Sequence, residues 1–222
     1  VPSGSKNLRA CVQSVRLQGV VLGARLERVE QEISAERADP VAVGLILAEL
    51  LHGPGAEQRQ VAALQDLASF IPERPEPHAA PGHAARKRGR SLDAARHFGQ
   101  AFAFGGRSPA LLWDCGRLAA PDGGGALSVL GALLKLQPDR TDVRVEMAAI
   151  ELARENAKAG LRLLRPIRRV SSVHAPRLFR VLAYAFLCEG NRLQAQSADQ
   201  RWVETASHAE EQTAQAFLDL LN

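Results

Sequence analysis

Residues 172–205 read SVHAPRLFRVLAYAFLCEGNRLQAQSADQRWVET and contain two helix patterns separated by a single glycine. Phe179, Leu182, Ala183 and Phe186 are spaced 3, 1 and 3 residues apart, which puts them on one face of a helix. Gly190 can take the left-handed turn that closes such a helix, and Ala195 is small enough to let a second helix approach the first. The pattern recurs upstream. Gly89, Ala94, Phe98 and Ala101 repeat the turn and second helix, with Gly105-Gly106 as a stop signal; Cys115-Gly116, Gly123, Ala126 and Pro138 mark another unit, and Met147-Ala148, Gly160, Leu164 and Ile167 a third. The small second-helix residues Ala94, Ala126, Gly160 and Ala195 are 32, 34 and 35 residues apart. A constant period of this length predicts stacked helical hairpins. The short spacing requires a deletion in the Asp122-Gly123-Gly124-Gly125 turn. Ser108-Pro109 and Asp39-Pro40 each supply a capping side chain followed by proline at the first helical position, so helices are expected to start there.

These residues and their spacing resemble the tetratricopeptide repeat (TPR) over roughly residues 75 to 205. The resemblance departs at Asp199 and Trp202, where the family usually has an aromatic and a small residue, and in the first helix near Pro75 to Lys87, which contains Pro77 and Pro81. It implies an all-α fold, a right-handed superhelix of antiparallel helix hairpins (a TPR-like α-solenoid), with first helices lining a concave groove that takes a protein or peptide partner. In the register set by Cys115, Met147 and Leu182, the groove would present Trp113, Arg117, Asp142, Val145, Arg177, Arg180 and Tyr184. An indole, a phenol and several guanidiniums suit peptide anchoring. Trp113 has an alternative, packing within its own hairpin. The Lys/Asn set with which chaperone-binding members clamp a terminal carboxylate is missing, so that role is not expected.

Outside the repeats, Leu8, Val12, Val15, Gly19, Leu22, Leu26, Val29 and Ile33 alternate steps of 4 and 3, a heptad seam that predicts one long N-terminal helix. Two readings stay open: the helix folds over the two helices that follow it, or it pairs with a second copy as a homodimer, its basic start beside the partner's acidic end. Between Pro72 and Gly82 the chain has four prolines in eleven residues and is expected to be extended or irregular. The reading therefore divides the chain into a helical region over 1–72, a repeat array over 73–205 and a capping helix over 206–222. The last would turn Ala209, Thr213, Phe217, Leu220 and Leu221 inward.

The 222 residues are 46% hydrophobic with a formal charge of +4, enough for a buried core and too weakly basic to demand a polyanionic partner. Arginine supplies nearly all the positive charge, which with abundant Ala, Leu and Gly suggests a GC-rich bacterial source. Three separated cysteines argue against a disulfide framework. Cys115 and Cys188 fall on apolar faces and are expected to be buried. No apolar run approaches the roughly 20 residues of a membrane span. A cytoplasmic location fits, with a removed signal sequence or anchor left open by a first residue that is not Met.

Phosphate-loop, nucleophile-elbow and metalloprotease motifs are absent, and no two histidines have the spacing that would join them at one metal on a helix. No enzyme activity, cofactor or metal is therefore expected. Asp139/Asp142 and Glu151/Glu155 read as solvated helix surface. The basic residues Arg86-Lys87-Arg88-Gly89-Arg90, and a helix face carrying Arg162, Arg165 and Arg169 beside Arg168, support the rival reading of RNA or other polyanion binding. The missing base-stacking aromatics argue against nucleic acid. The reading that results is a noncatalytic scaffold that binds a protein or peptide.

Overall fold

A computed structural model describes residues 39–49, 55–119 and 124–221. The seam from Leu8 to Ile33, with Cys11, lies outside the described residues. Those described form eleven α-helices: α1 (Pro40–Glu49), α2 (Ala56–Phe70), α3 (Glu76–Lys87), α4 (Ser91–Ala103), α5 (Pro109–Leu118), α6 (Gly124–Leu136), α7 (Thr141–Ala153), α8 (Ala157–Leu164), α9 (Ala175–Cys188), α10 (Arg192–Thr205) and α11 (His208–Leu221). Both proline-marked starts are capped as expected. Ser108 Oγ accepts from the Leu111 amide at 3.3 Å, and Asp39 Oδ1 from the Val41 amide at 3.1 Å.

Contacts divide the chain into two compact units, one ending at Gly106 and one starting at Arg107. In the first, α1 pairs with α2 and α3 with α4, and α2 also packs on α3. The expected boundary at 72/73 therefore falls inside a unit. Residues 76–82, expected to be irregular, belong to α3. Pro77 sits in the first turn, where its missing N–H costs nothing, and Pro77, Pro81, Gly82 and Ala85 are all buried. Burial outweighs the one hydrogen bond that Pro81 removes.

In the second unit α5/α6, α7/α8 and α9/α10 are consecutive hairpins, and α11 packs on α10. The periodic small residues occupy matching places near the starts of α4, α6, α8 and α10, and all four are buried. Facing glycines show why size matters there. A Cβ added to Gly82 would lie 2.7 Å from the Phe98 ring, one on Gly116 2.5 Å from Leu130, and one on Gly160 3.2 Å from the Ala148 carbonyl oxygen. The period thus marks where the two helices of a hairpin touch.

Three hairpin turns share one geometry. Gly89, Glu155 and Gly190 have φ of 74°, 60° and 72°, and the next amide reaches back to a helix carbonyl: Arg90 to Ala85, Asn156 to Glu151 and Asn191 to Phe186, at 3.0, 2.8 and 2.9 Å.

Several sequence expectations are corrected. Cys188 is exposed at the end of α9, whereas Cys115 is buried and its thiol pKa is raised by that burial. The inward face of α11 is rotated by about one residue: Ala214, Phe217, Leu218 and Leu221 turn in, while Ala209 and Thr213 are exposed and Leu220 is 80% exposed. The Leu221 carbonyl explains the rotation, since Arg192 Nε and Gln196 Nε2 both donate to it at 2.6 Å from α10. Finally, α8 stops at Leu164, ahead of Pro166, so Arg162, Arg165 and Arg169 do not share one helix face.

Candidate functional site

The expected groove residues all lie in the second unit, on or beside the first helices α5, α7 and α9, and the fold treats them differently. Trp113 on α5 is half-buried, with the guanidinium carbons of Arg117 and Arg140 at 5.4 and 5.2 Å from its ring centre. A guanidinium over an indole face is attracted by the ring quadrupole. Arg140 is fixed from its other side by Asp142, Nε to Oδ1 at 2.7 Å and Nη2 to Oδ2 at 2.5 Å. These two bonds hold the Asp142 carboxyl below the usual carboxylate range and raise the Arg140 pKa. Arg117 is exposed and has no ion pair among the described residues.

Asp142, expected to face the groove, is therefore already neutralised by Arg140. Sequence reasoning missed Arg140. The available signal was its position two residues before Asp142 at the entrance to α7, where an acid in the first turn is also favoured by the helix dipole. Val145 is corrected outright. It is 2% exposed and belongs to a core cluster with Ala148, Leu164, Leu178 and Val181, because α9 and the second helix α8 close over that side of α7.

On α9 the three expected residues are engaged internally. Arg177 Nη2 pairs with Glu146 at 2.6 Å. Arg180 pairs with Glu210 of α11 at 3.3 Å and stands 5.8 Å from the Trp202 ring centre. Tyr184 meets Phe217 of α11 at 4.4 Å between ring centres. The structure thus gathers Trp113, Arg117, Arg140 and Asp142 into one cluster, places Arg180 and Tyr184 against α11, and withdraws Val145.

Elsewhere, a cleft of about 340 Å³ in the first unit is lined by Leu64, Gln65, Ser69, His78, Arg96 and His97, among others. Some of its polar groups are engaged within the chain, Arg96 with Asp93 at 3.1 Å and His78 Nε2 with the Pro72 carbonyl at 3.2 Å among them. Ser69 Oγ donates to the Gln65 carbonyl at 2.9 Å, His78 stacks on Phe104 at 4.3 Å, and burial lowers the His97 pKa. Among the described residues no group of three or more His, Cys, Asp or Glu is placed to hold a metal ion, and no helix is long and apolar enough to cross a membrane.

No protein-family model matches the sequence, and no curated protein matches it. Solved structures do. YrrB, described as a TPR protein with an unusual peptide-binding site, superposes with a TM-score of 0.68 at 16% identity, covering 85% of this chain and 97% of its own. MamA gives 0.59 at 14% identity, with 79% and 94% covered. The C-terminal part of a TPR repeat-containing protein from Cytophaga hutchinsonii gives 0.57 at 12%, with 85% and 79% covered. At such identities the likeness speaks for backbone geometry alone, and together with the buried small residues at each hairpin crossing it establishes that this chain has the all-α, TPR-type α-solenoid fold.

Proposed function

We propose that the chain is a noncatalytic scaffold whose second unit holds a protein or peptide segment against the first-helix surface around Trp113 and Arg117. The observation that carries the reading is the Trp113 cluster. A large apolar ring, stiffened by Arg140 and its carboxylate, stands beside the exposed Arg117 guanidinium. A rigid aromatic flanked by a guanidinium anchors a peptide with little side-chain entropy to lose. A partner side chain would stack on the indole edge while a carboxylate or backbone carbonyl takes Arg117. Peptide binding by YrrB, a protein of the same fold, supports the class of partner.

The test is selection of peptides from a displayed library on the purified protein, followed by titration calorimetry. Trp113→Ala is expected to weaken the selected peptide by about 2 kcal/mol or more, with an unchanged helical circular dichroism spectrum. Arg117→Ala should cost about 1 kcal/mol, and more at low salt. Unchanged affinity in Trp113→Ala would remove the cluster as the site.

A further inference from the structure

Between Glu155 and Glu189 the sequence has no Asp or Glu, yet it carries one Lys and six Arg. Three of these seven cations are neutralised by carboxylates at or beyond the limits of the stretch: Lys158 by Glu189 at 3.7 Å, Arg177 by Glu146 at 2.6 Å and Arg180 by Glu210 at 3.3 Å. The remaining four, Arg162, Arg165, Arg168 and Arg169, are exposed and make neither an ion pair nor a side-chain hydrogen bond among the described residues. Their outward placement follows from what turns inward. Ala157, Gly160 and Leu164 are the buried face of α8, and Leu163, Ile167 and Val170 pack on the core cluster of the second unit.

Like charges one helical turn apart repel, and Arg162 and Arg165 are such a pair. The fold relieves Lys158, Arg177 and Arg180 of unpaired charge and leaves these four unrelieved. A local conflict without internal compensation is expected at a surface that meets something else.

We propose that this arginine surface docks an acidic segment of a partner protein, separately from the Trp113 cluster. Guanidinium forks take carboxylates two bonds at a time, so several Asp or Glu side chains match four exposed arginines carried within residues 162–169. The adjoining turn adds the exposed hydroxyls of Ser171 and Ser172 and Val173 at 80% exposure, which suits an aliphatic side chain among the acids. Nucleic acid fits less well. Residues 156–178 contain no Phe, Trp or Tyr on which a base could stack, and four cations neutralise few phosphates.

The experiment is fluorescence anisotropy with the full chain and a short labelled peptide rich in Glu and Asp that contains one Leu. The controls are its Gln/Asn counterpart and a single-stranded RNA of equal net charge. The acidic peptide is expected to bind, to weaken about tenfold or more in the combined variant Arg165→Glu, Arg168→Glu, Arg169→Glu, and to stay within about twofold in Trp113→Ala. The milder set Arg165→Gln, Arg168→Gln, Arg169→Gln, checked for helicity, should show an intermediate loss. Absent binding, equal binding of the uncharged peptide, or affinity unaltered by both arginine sets overturns the proposal. So does tighter binding of the RNA through the same arginines, which would assign the surface to nucleic acid. Loss of acidic-peptide binding in Trp113→Ala would place the peptide on the other cluster and also overturn it. Failure of acidic-peptide binding leaves the use of Trp113 by library-selected peptides to its own titration.

Discussion

Asp199 occupies a position in α10 where the corresponding residue of α4 is Phe98, and it is 0% exposed with no hydrogen-bond partner for either carboxylate oxygen. Trp202, three residues on, stands where α4 has Ala101, so a small-large pair replaces a large-small one and the volume is conserved. The polarity is not. Desolvation pushes the Asp199 pKa from the usual carboxylate range up to about 6. The folded state therefore binds the proton more tightly than the unfolded chain, and stability falls as pH rises from about 4 to about 6 and stays lower above that. A displacement from 3.8 to about 6 corresponds to roughly 3 kcal/mol. Urea denaturation at pH 5 and pH 7.5 should show about half of this loss, roughly 1.5 kcal/mol, and Asp199→Asn should abolish most of the difference. Asp142 acts in the opposite sense: its lowered pKa contributes stability above the ordinary carboxylate value, lost as acid titrates the folded form. The sequence disclosed that Asp199 departs from the repeat pattern, but its desolvation is a property of packing. Glu155 offers a simpler test. With φ at 60° it bears a side chain where Gly89 and Gly190 have none, and Glu155→Gly should stabilise the protein by about 0.5–1 kcal/mol in the same assay.

At the scale of the helix, the glycines of the α5/α6 hairpin separate close packing from simple propensity. Gly116 faces Leu130, which is fully buried and has nowhere to move, so Gly116→Ala should destabilise by about 1–3 kcal/mol. Gly131 lies in α6 with open space where its Cβ would be, and Gly131→Ala should stabilise by about 0.5–1 kcal/mol. Thermal melts of the two variants should move in opposite directions. Sequence reading placed the helices where periodic apolar residues and caps coincide, as at Ser108-Pro109, and failed where packing overrode local chemistry. In α3 the prolines are stabilised by burial against neighbouring helices, which no window of residues 72–82 reveals. In α11 two apolar stripes compete, and hydrogen bonds from Arg192 and Gln196 to the Leu221 carbonyl select between them.

Across the chain, charge and repeat period set what each surface can do. In the second unit, α11 sets Phe217 against the buried Trp202 and the still exposed Tyr184, and it supplies Glu210 to Arg180. Deleting residues 207–222 should therefore expose the Trp202 indole, seen as a red shift in its fluorescence, and lower the urea midpoint. Of the site, Trp113, Arg117 and Asp142 were legible as polar or aromatic residues on the expected groove side of first helices. Arg140 was not, because its role depends on the entrance of α7 lying over α5. Val145 read as a groove residue although neighbouring helices bury it, and Arg180 and Tyr184 meet Glu210 and Phe217 of α11 while remaining partly exposed. The sequence alone determined the helical class and the crossing points of the hairpins, since small side chains every thirty-odd residues can serve only where backbones come close. Tertiary structure decided which arginines are paired and which side chains stay open. Ion pairs and burial join residues distant in sequence, and a periodicity cannot encode those distances.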